Sequence, residues 1–141
     1  FSGQCATGPS RPALFPEQLE GRLSEGTIAA VSCCYGADLF APIGTAESSR
    51  YIPICNAFLR NGAIGYFGST GSSHGGRSEL KEADRLVRDF VRLILCGFSL
   101  GEAARNAVVG LATSDSSGCS EREAKNAWQF TLLGDPTARL S

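Results

Sequence analysis

The sequence carries no block of like charge. Its 13 Lys and Arg residues are scattered and nearly balance 14 Asp and Glu residues, for a net charge of -1. Nothing forms the basic stripe that nucleic acid or an acidic membrane surface would need, so neither partner is expected. Long apolar runs are missing too. None approaches the roughly 18 residues of a membrane span, and residues 1–15 lack the basic start and apolar stretch of a secretory signal. Any targeting segment is expected to lie outside these residues. There is one histidine, His74, with no C-x-x-C spacing and no Asn-x-Ser/Thr sequon. One histidine cannot build a histidine cluster, so neither a metal nor another cofactor is expected.

What is present is an apolar fraction of 43% against 19% charged residues, which suits one globular domain with a true core. Cys5, Cys33, Cys34, Cys55, Cys96 and Cys119 are even in number, but a chain this large and apolar does not need a disulfide framework. Reduced thiols and a cytoplasmic location are the expectation, with a secreted protein as the alternative.

Thr27 to Ser32 is a short run of small and β-branched residues entered from Gly26, and it predicts a strand buried on both faces, with Cys33 at its C-terminal end. Ile52 to Arg60 reads as a helix that stops at Asn61-Gly62. Ala63 to Phe67 reads as a second buried strand, running into a Gly- and Ser-rich loop at 68–76. From Glu79 to Cys96, Leu80, Ala83, Val87, Phe90, Val91 and Ile94 recur at helical spacing. Ser99 and Glu102 have the form of a capping box opening a helix to about Ala112, and Ser120 with Glu123 repeats the pattern. Trp128 to Leu133 predicts a last strand, ended by the turn signature Gly134-Asp135-Pro136.

Strand, helix, strand, helices, strand calls for an α/β fold: a mostly parallel sheet with right-handed crossovers and helices on both faces. Phe1-Ser2-Gly3 looks like the end of a further strand, and so few strands would leave an apolar edge uncovered. The expectation is one domain over 1–141 that is part of a larger whole, its missing strands supplied by the rest of the protein or by a partner chain.

In open parallel sheets ligands bind beyond the C-terminal strand ends, an edge that here gathers Gln4, Cys33 and the 68–76 loop. Cys33 is followed by Cys34, Tyr35 and Gly36, and the glycine lets the backbone turn sharply so that amides can approach a reacting carbonyl. The plainer reading makes both thiols small buried hydrophobes. His74 is either a base on the far side of the nucleophile or a residue lining a glycine-rich surface loop. Asp38 would attract a basic side chain or simply be a solvated loop residue, and the second reading is preferred. Asp135 belongs to its turn. Gly71-Ser72-Ser73-His74-Gly75 fits a serine-hydrolase elbow, but no histidine follows it to complete a triad.

Four segments carry a family resemblance. Ser32-Cys33-Cys34-Tyr35-Gly36-Ala37 resembles the nucleophile segment of the caspase-like cysteine peptidases, in particular the gingipain-type peptidases and the CHAT domains. Phe58 to Gly65 resembles their next helix and strand, Leu95 to Ala103 their "G-x-S-L-G-E-A" junction, and Leu132 to Thr137 their closing "L-L-G-D-P" segment. The match runs from about residue 27 onward. It implies a caspase-like fold and hydrolysis of a peptide or protein substrate. Cys33 would be the nucleophile, backbone amides near Gly3 and Cys33 an oxyanion hole, and Gly36, Asp38, Ser69 and Thr70 part of the cleft. These families place a histidine in Gly-His-Gly at the end of the preceding strand, where this chain has Gly3-Gln4-Cys5. Gln4 has no titratable nitrogen and cannot take the thiol proton. A degenerate module that only binds peptides or proteins is the alternative.

Overall fold

The structure is a computed structural model that describes residues 14–40, 52–73, 82–113 and 119–140. Among these, three strands form one sheet, β1 (Ile28–Ala30), β2 (Gly65–Ser69) and β3 (Phe130–Gly134), in that spatial order. A 3-10 turn at Pro16–Leu19 precedes them. The helices are α1 (Ile54–Arg60), α2 (Ala83–Leu95), α3 (Leu100–Ala112) and α4 (Glu121–Gln129). None of the helices in the described residues is long and apolar enough to cross a membrane.

β2 is buried along its whole length, and successive side chains serve opposite faces. Tyr66 packs with Ala37 and Cys55 on the α1 side, next to Phe58 and Leu59. Phe67 joins Leu86, Phe90 and Ile94 of α2 and Leu100, Ala103, Ala107 and Leu111 of α3 on the other side. The spacing of Leu86, Phe90 and Ile94 places them on one stripe of α2, while Arg88 and Arg92 face solvent. Phe67 stacks on Phe90 at 4.3 Å between ring centroids and meets Phe130 at 5.3 Å. The expected α/β arrangement with helices on both faces is therefore present.

The sheet differs from expectation in direction, extent and burial. β1 and β2 are parallel, with Ile28 opposite Gly65, but β3 runs antiparallel to β2, with Phe130 opposite Ser69. The reason is that α4 ends beside the C-terminal end of β2, where Thr70 N donates to Gln129 O at 2.9 Å, so the chain enters the sheet at the end where β2 leaves it. Trp128 and Gln129, expected in the strand, complete α4 instead; the helix opened by the Ser120 box outlasts the β preference of one aromatic. β2 covers 65–69, later than the predicted 63–67. β1 is three residues long and only half-buried, because among the described residues β2 is its one strand neighbour. The segments 1–5 and 79–81 lie outside the described residues.

Both capping boxes form. Ser99 Oγ accepts from Glu102 N at 3.3 Å, and Glu102 Oε2 accepts from Ser99 N at 2.8 Å. Ser120 and Glu123 repeat this at 3.2 and 2.9 Å. Hydrogen bonds from the Ser99 backbone and hydroxyl, with Arg139 close by, hold the Glu102 carboxyl below its ordinary value. A depressed carboxylate stabilises the fold above the ordinary range, and that contribution is lost as pH falls through the depressed value. Ser99→Ala is expected to cost about 1 kcal/mol. Thermal unfolding at pH 7 and pH 3 checks this: the midpoint drops at neutral pH, and the gap to wild type narrows in acid.

The last described segment closes on the start of α3. Leu100 N donates to Ala138 O at 2.9 Å and Gly101 N to Pro136 O at 2.8 Å, while Arg139 reaches Glu102 at 3.1 Å. Gly101 has to be small here, since a Cβ would stand 2.9 Å from Pro136 Cβ. Gly134, at φ 118°, lies against Ile64, whose carbonyl oxygen would be 2.4 Å from an added Cβ. Asp135 Oδ1 accepts from Thr137 N and Oγ1 at 2.8 and 2.7 Å, the structural turn expected of it.

Candidate functional site

The C-terminal ends of the two parallel strands bring residues 31–38 and 69–73 together. Pairing with β2 continues one residue beyond β1, through Val31 N to Phe67 O at 2.9 Å. The chain then turns, and three bonds lace the turn to the end of β2. Tyr35 N donates to Gly71 O at 2.8 Å, Ala37 N to Ser69 O at 2.9 Å, and the Tyr66 hydroxyl to Gly36 O at 2.8 Å. Burial raises the Tyr66 hydroxyl above its ordinary pKa, and the nearby Cys33 and Cys55 add to this, so it stays a donor.

The sharp bend was expected at Gly36, but the left-handed residue is Tyr35, at φ 55°. Gly36 is needed for space instead: a Cβ there would stand 2.6 Å from both Cys33 Sγ and Val31 Cγ2. The half-buried Cys33 sulfur thus lies against Gly36. Burial pushes its thiol up to about 12, a smaller lowering comes from its own backbone, and the neighbouring Cys34 raises it further.

Cys34 differs from Cys33 in each of these respects. It is exposed, and its sulfur points across to the 69–73 segment, 3.3 Å from Ser73 O, 3.8 Å from Ser73 Oγ and 3.9 Å from Ser72 Oγ. Burial, the largest single influence on it, raises its pKa. Hydrogen bonding with Ser73, backbone and side chain, and with the Ser72 hydroxyl together outweighs that, and the thiol lies below its ordinary value.

Ser69 is buried and its hydroxyl bonds Gly71, taking the Gly71 N–H at 3.3 Å and lying 3.1 Å from Gly71 O, so it shapes the loop. Thr70 is exposed, with N and Oγ1 both directed at Gln129 O, at 2.9 and 3.2 Å. Asp38 Oδ1 accepts from Phe40 N at 3.1 Å, in keeping with the loop role preferred for it. Gly3, Gln4 and His74 lie outside the described residues. A pocket of about 260 Å³ between the 3-10 turn and α1, lined by Glu17, Glu20, Arg60 and Asn61 among others, includes neither thiol. All five cysteines of the described residues are free thiols.

Sequence reasoning missed the part played by Ser72, Ser73 and Gln129. The Gln129 amide covers Gly71, where a Cβ would stand 2.5 Å from its Nε2. Only the Gly-Ser composition of the loop hinted at close approach. Tyr35, 58% exposed, lies at this edge through its backbone bond to Gly71.

A half-buried thiol and an exposed one on a turn at the C-terminal edge of a parallel strand pair suit nucleophilic chemistry on a carbonyl, given a base. No curated protein and no solved structure matches the chain. The family model described as Peptidase family C25 matches residues 24–141, which includes every described strand and helix after the 3-10 turn. The chain belongs to this family, the gingipain family of cysteine peptidases.

Proposed function

We propose that the protein is a cysteine endopeptidase in which Cys33 attacks the peptide carbonyl and forms a thioester, releasing the amine product before water hydrolyses the acyl-enzyme. The observation that carries this reading is the position of Cys33. It follows β1 at the strand end, three residues before a glycine whose missing side chain makes room for the sulfur. Peptide or protein chains are the substrates, entering along the edge made by Gly36, Asp38, Ser69 and Thr70. The caspase-like likeness, which the CHAT domains share, supports the same assignment.

A thiol at about 12 is ionised to only about one part in 100,000 at pH 7, so the reaction requires a base beside Cys33. We assign that base to His74, which follows directly on the Ser72-Ser73 segment. Gln4, in the place of the family histidine, and the amide of Gly3 would orient the carbonyl instead of taking the proton. One observation favours the second reading, a module that binds peptides without cleaving them: among the described residues no base adjoins Cys33, and burial holds its proton on.

The pH dependence of iodoacetamide alkylation, resolved for Cys33 by mass spectrometry, decides between them. A working dyad makes Cys33 react at or below the free-thiol range of about 8.5, and His74→Ala shifts that reaction upward by at least one pH unit. A Cys33 that reacts only in strong alkali with and without His74 rules out the dyad and leaves the binding module.

A further inference from the structure

Three consecutive residues of the nucleophile turn are each tied to β2 or to the segment just after it. Two of the ties, Tyr35 N to Gly71 O and Ala37 N to Ser69 O, join backbone to backbone and do not depend on any side chain. The third rests on one side-chain atom, the Tyr66 hydroxyl, which donates to Gly36 O at 2.8 Å. Core packing does not call for that hydroxyl. The Tyr66 ring is fully buried with Ala37, Cys55 and Phe58, contacts that a phenylalanine would keep, and the next residue of β2, Phe67, fills its own face without one. A buried hydroxyl is unfavourable unless bonded, so its role in the fold is its hold on Gly36. Gly68 makes room for this arrangement: an added Cβ would stand 2.9 Å from Val31 Cγ2 and 3.3 Å from Tyr66 Cε1.

Building on the peptidase reading, we propose that Tyr66 is a positioning residue for the reaction, its hydroxyl fixing Gly36 and thereby the place of the Cys33 sulfur. The link is short. An added Cβ on Gly36 would fall 2.6 Å from Cys33 Sγ, so the glycine backbone is the surface against which the sulfur lies. A Gly36 that drifts releases the sulfur from that surface, and attack on a carbonyl is sensitive to such drift, since a misplacement of about 1 Å can lower a rate about 100-fold. Tyr66 itself is wholly buried and touches no substrate. Its effect therefore falls on kcat, while binding along the cleft is left alone. Burial keeps the phenol protonated, so the bond to Gly36 persists across the working pH range.

The test compares the full chain as wild type, Tyr66→Phe and Ser99→Ala, in casein cleavage at pH 7.5 and in hydrogen exchange read by mass spectrometry over residues 31–38. Tyr66→Phe is expected to lower kcat at least about ten-fold with KM within about two-fold. Exchange over 31–38 speeds up about five-fold, while exchange across β3 stays as in wild type and shows the sheet intact. Ser99→Ala weakens the fold at the start of α3, away from the turn, and keeps both kcat and the exchange of 31–38. A Tyr66→Phe protein that cleaves at the wild-type rate overturns the proposal, whether or not its turn exchanges faster. A loss of kcat that Ser99→Ala shares, or faster exchange that spreads to β3, makes the effect one of stability and overturns it too. Wild-type protein that cleaves no casein sinks the peptidase reading and the positioning role with it; wild-type cleavage with an unaffected Tyr66→Phe variant sinks the positioning role alone.

Discussion

Gly134→Ala lowers stability by about 3 kcal/mol and the unfolding midpoint by about 10 °C. Two independent costs add. At φ 118° an L side chain is strained whatever the space, and the new Cβ would fall 2.4 Å from Ile64 O and 2.9 Å from Gly65 Cα, both backbone atoms that cannot rotate away. Relief requires β3 to move off β2 at their last paired position, Gly65 with Gly134, and that also disturbs Asp135 N on Ile64 O. Gly110→Ala is the control. It lies inside α3 with nothing within 4 Å of an added Cβ, and alanine there is expected to gain up to about 1 kcal/mol. Differential scanning calorimetry of the two variants should move in opposite directions. Equal and small shifts would mean that the β2–β3 junction yields readily to an added methyl group.

Cys33→Ala is expected to cut kcat/KM on an unfolded protein substrate by at least about a thousand-fold, because a thioester cannot form on a methyl group. The same change should leave the unfolding midpoint within about 3 °C, since the thiol is only half-buried and makes no bond that holds the turn. The turn is held by Tyr35 N, Ala37 N and Gly36 O, none of which involves the Cys33 sulfur. The combination distinguishes chemistry from architecture: lost cleavage with retained melting assigns the nucleophile. Cleavage that survives in the variant would remove Cys33 from the mechanism.

Local signals were legible in the chain. The Ser99–Glu102 and Ser120–Glu123 boxes act within four residues, and the apolar stripe of α2 is a matter of period, so both follow from sequence. The direction of β3 did not follow, since it depends on where α4 delivers the chain, which is a tertiary fact. Trp128 was misplaced for a related reason. An aromatic beside Phe130 and Leu132 looks like part of an alternating strand, and only the continuing helix of α4 shows otherwise. The half-burial of β1 depends on neighbours that its own residues do not encode.

At the site, the strand end and its glycine could be read in advance, but the different surroundings of Cys33 and Cys34 could not. Those rest on a left-handed Tyr35 and on amides bonded to Ser69 and Gly71, contacts between segments more than thirty residues apart. A pair of adjacent identical letters gives no hint that one cysteine is half-buried and the other exposed.

The clasp between residues 134–139 and the start of α3 lies at the end of the sheet remote from the thiols. Fold security and reactivity are therefore written into separate stretches of the chain. A protein with that division can be disarmed without being unfastened. If Cys33 is the nucleophile as proposed, Cys33→Ala should consequently serve as bait, retaining the site in working shape and holding bound chains intact, so that crosslinking to the disarmed protein recovers them whole.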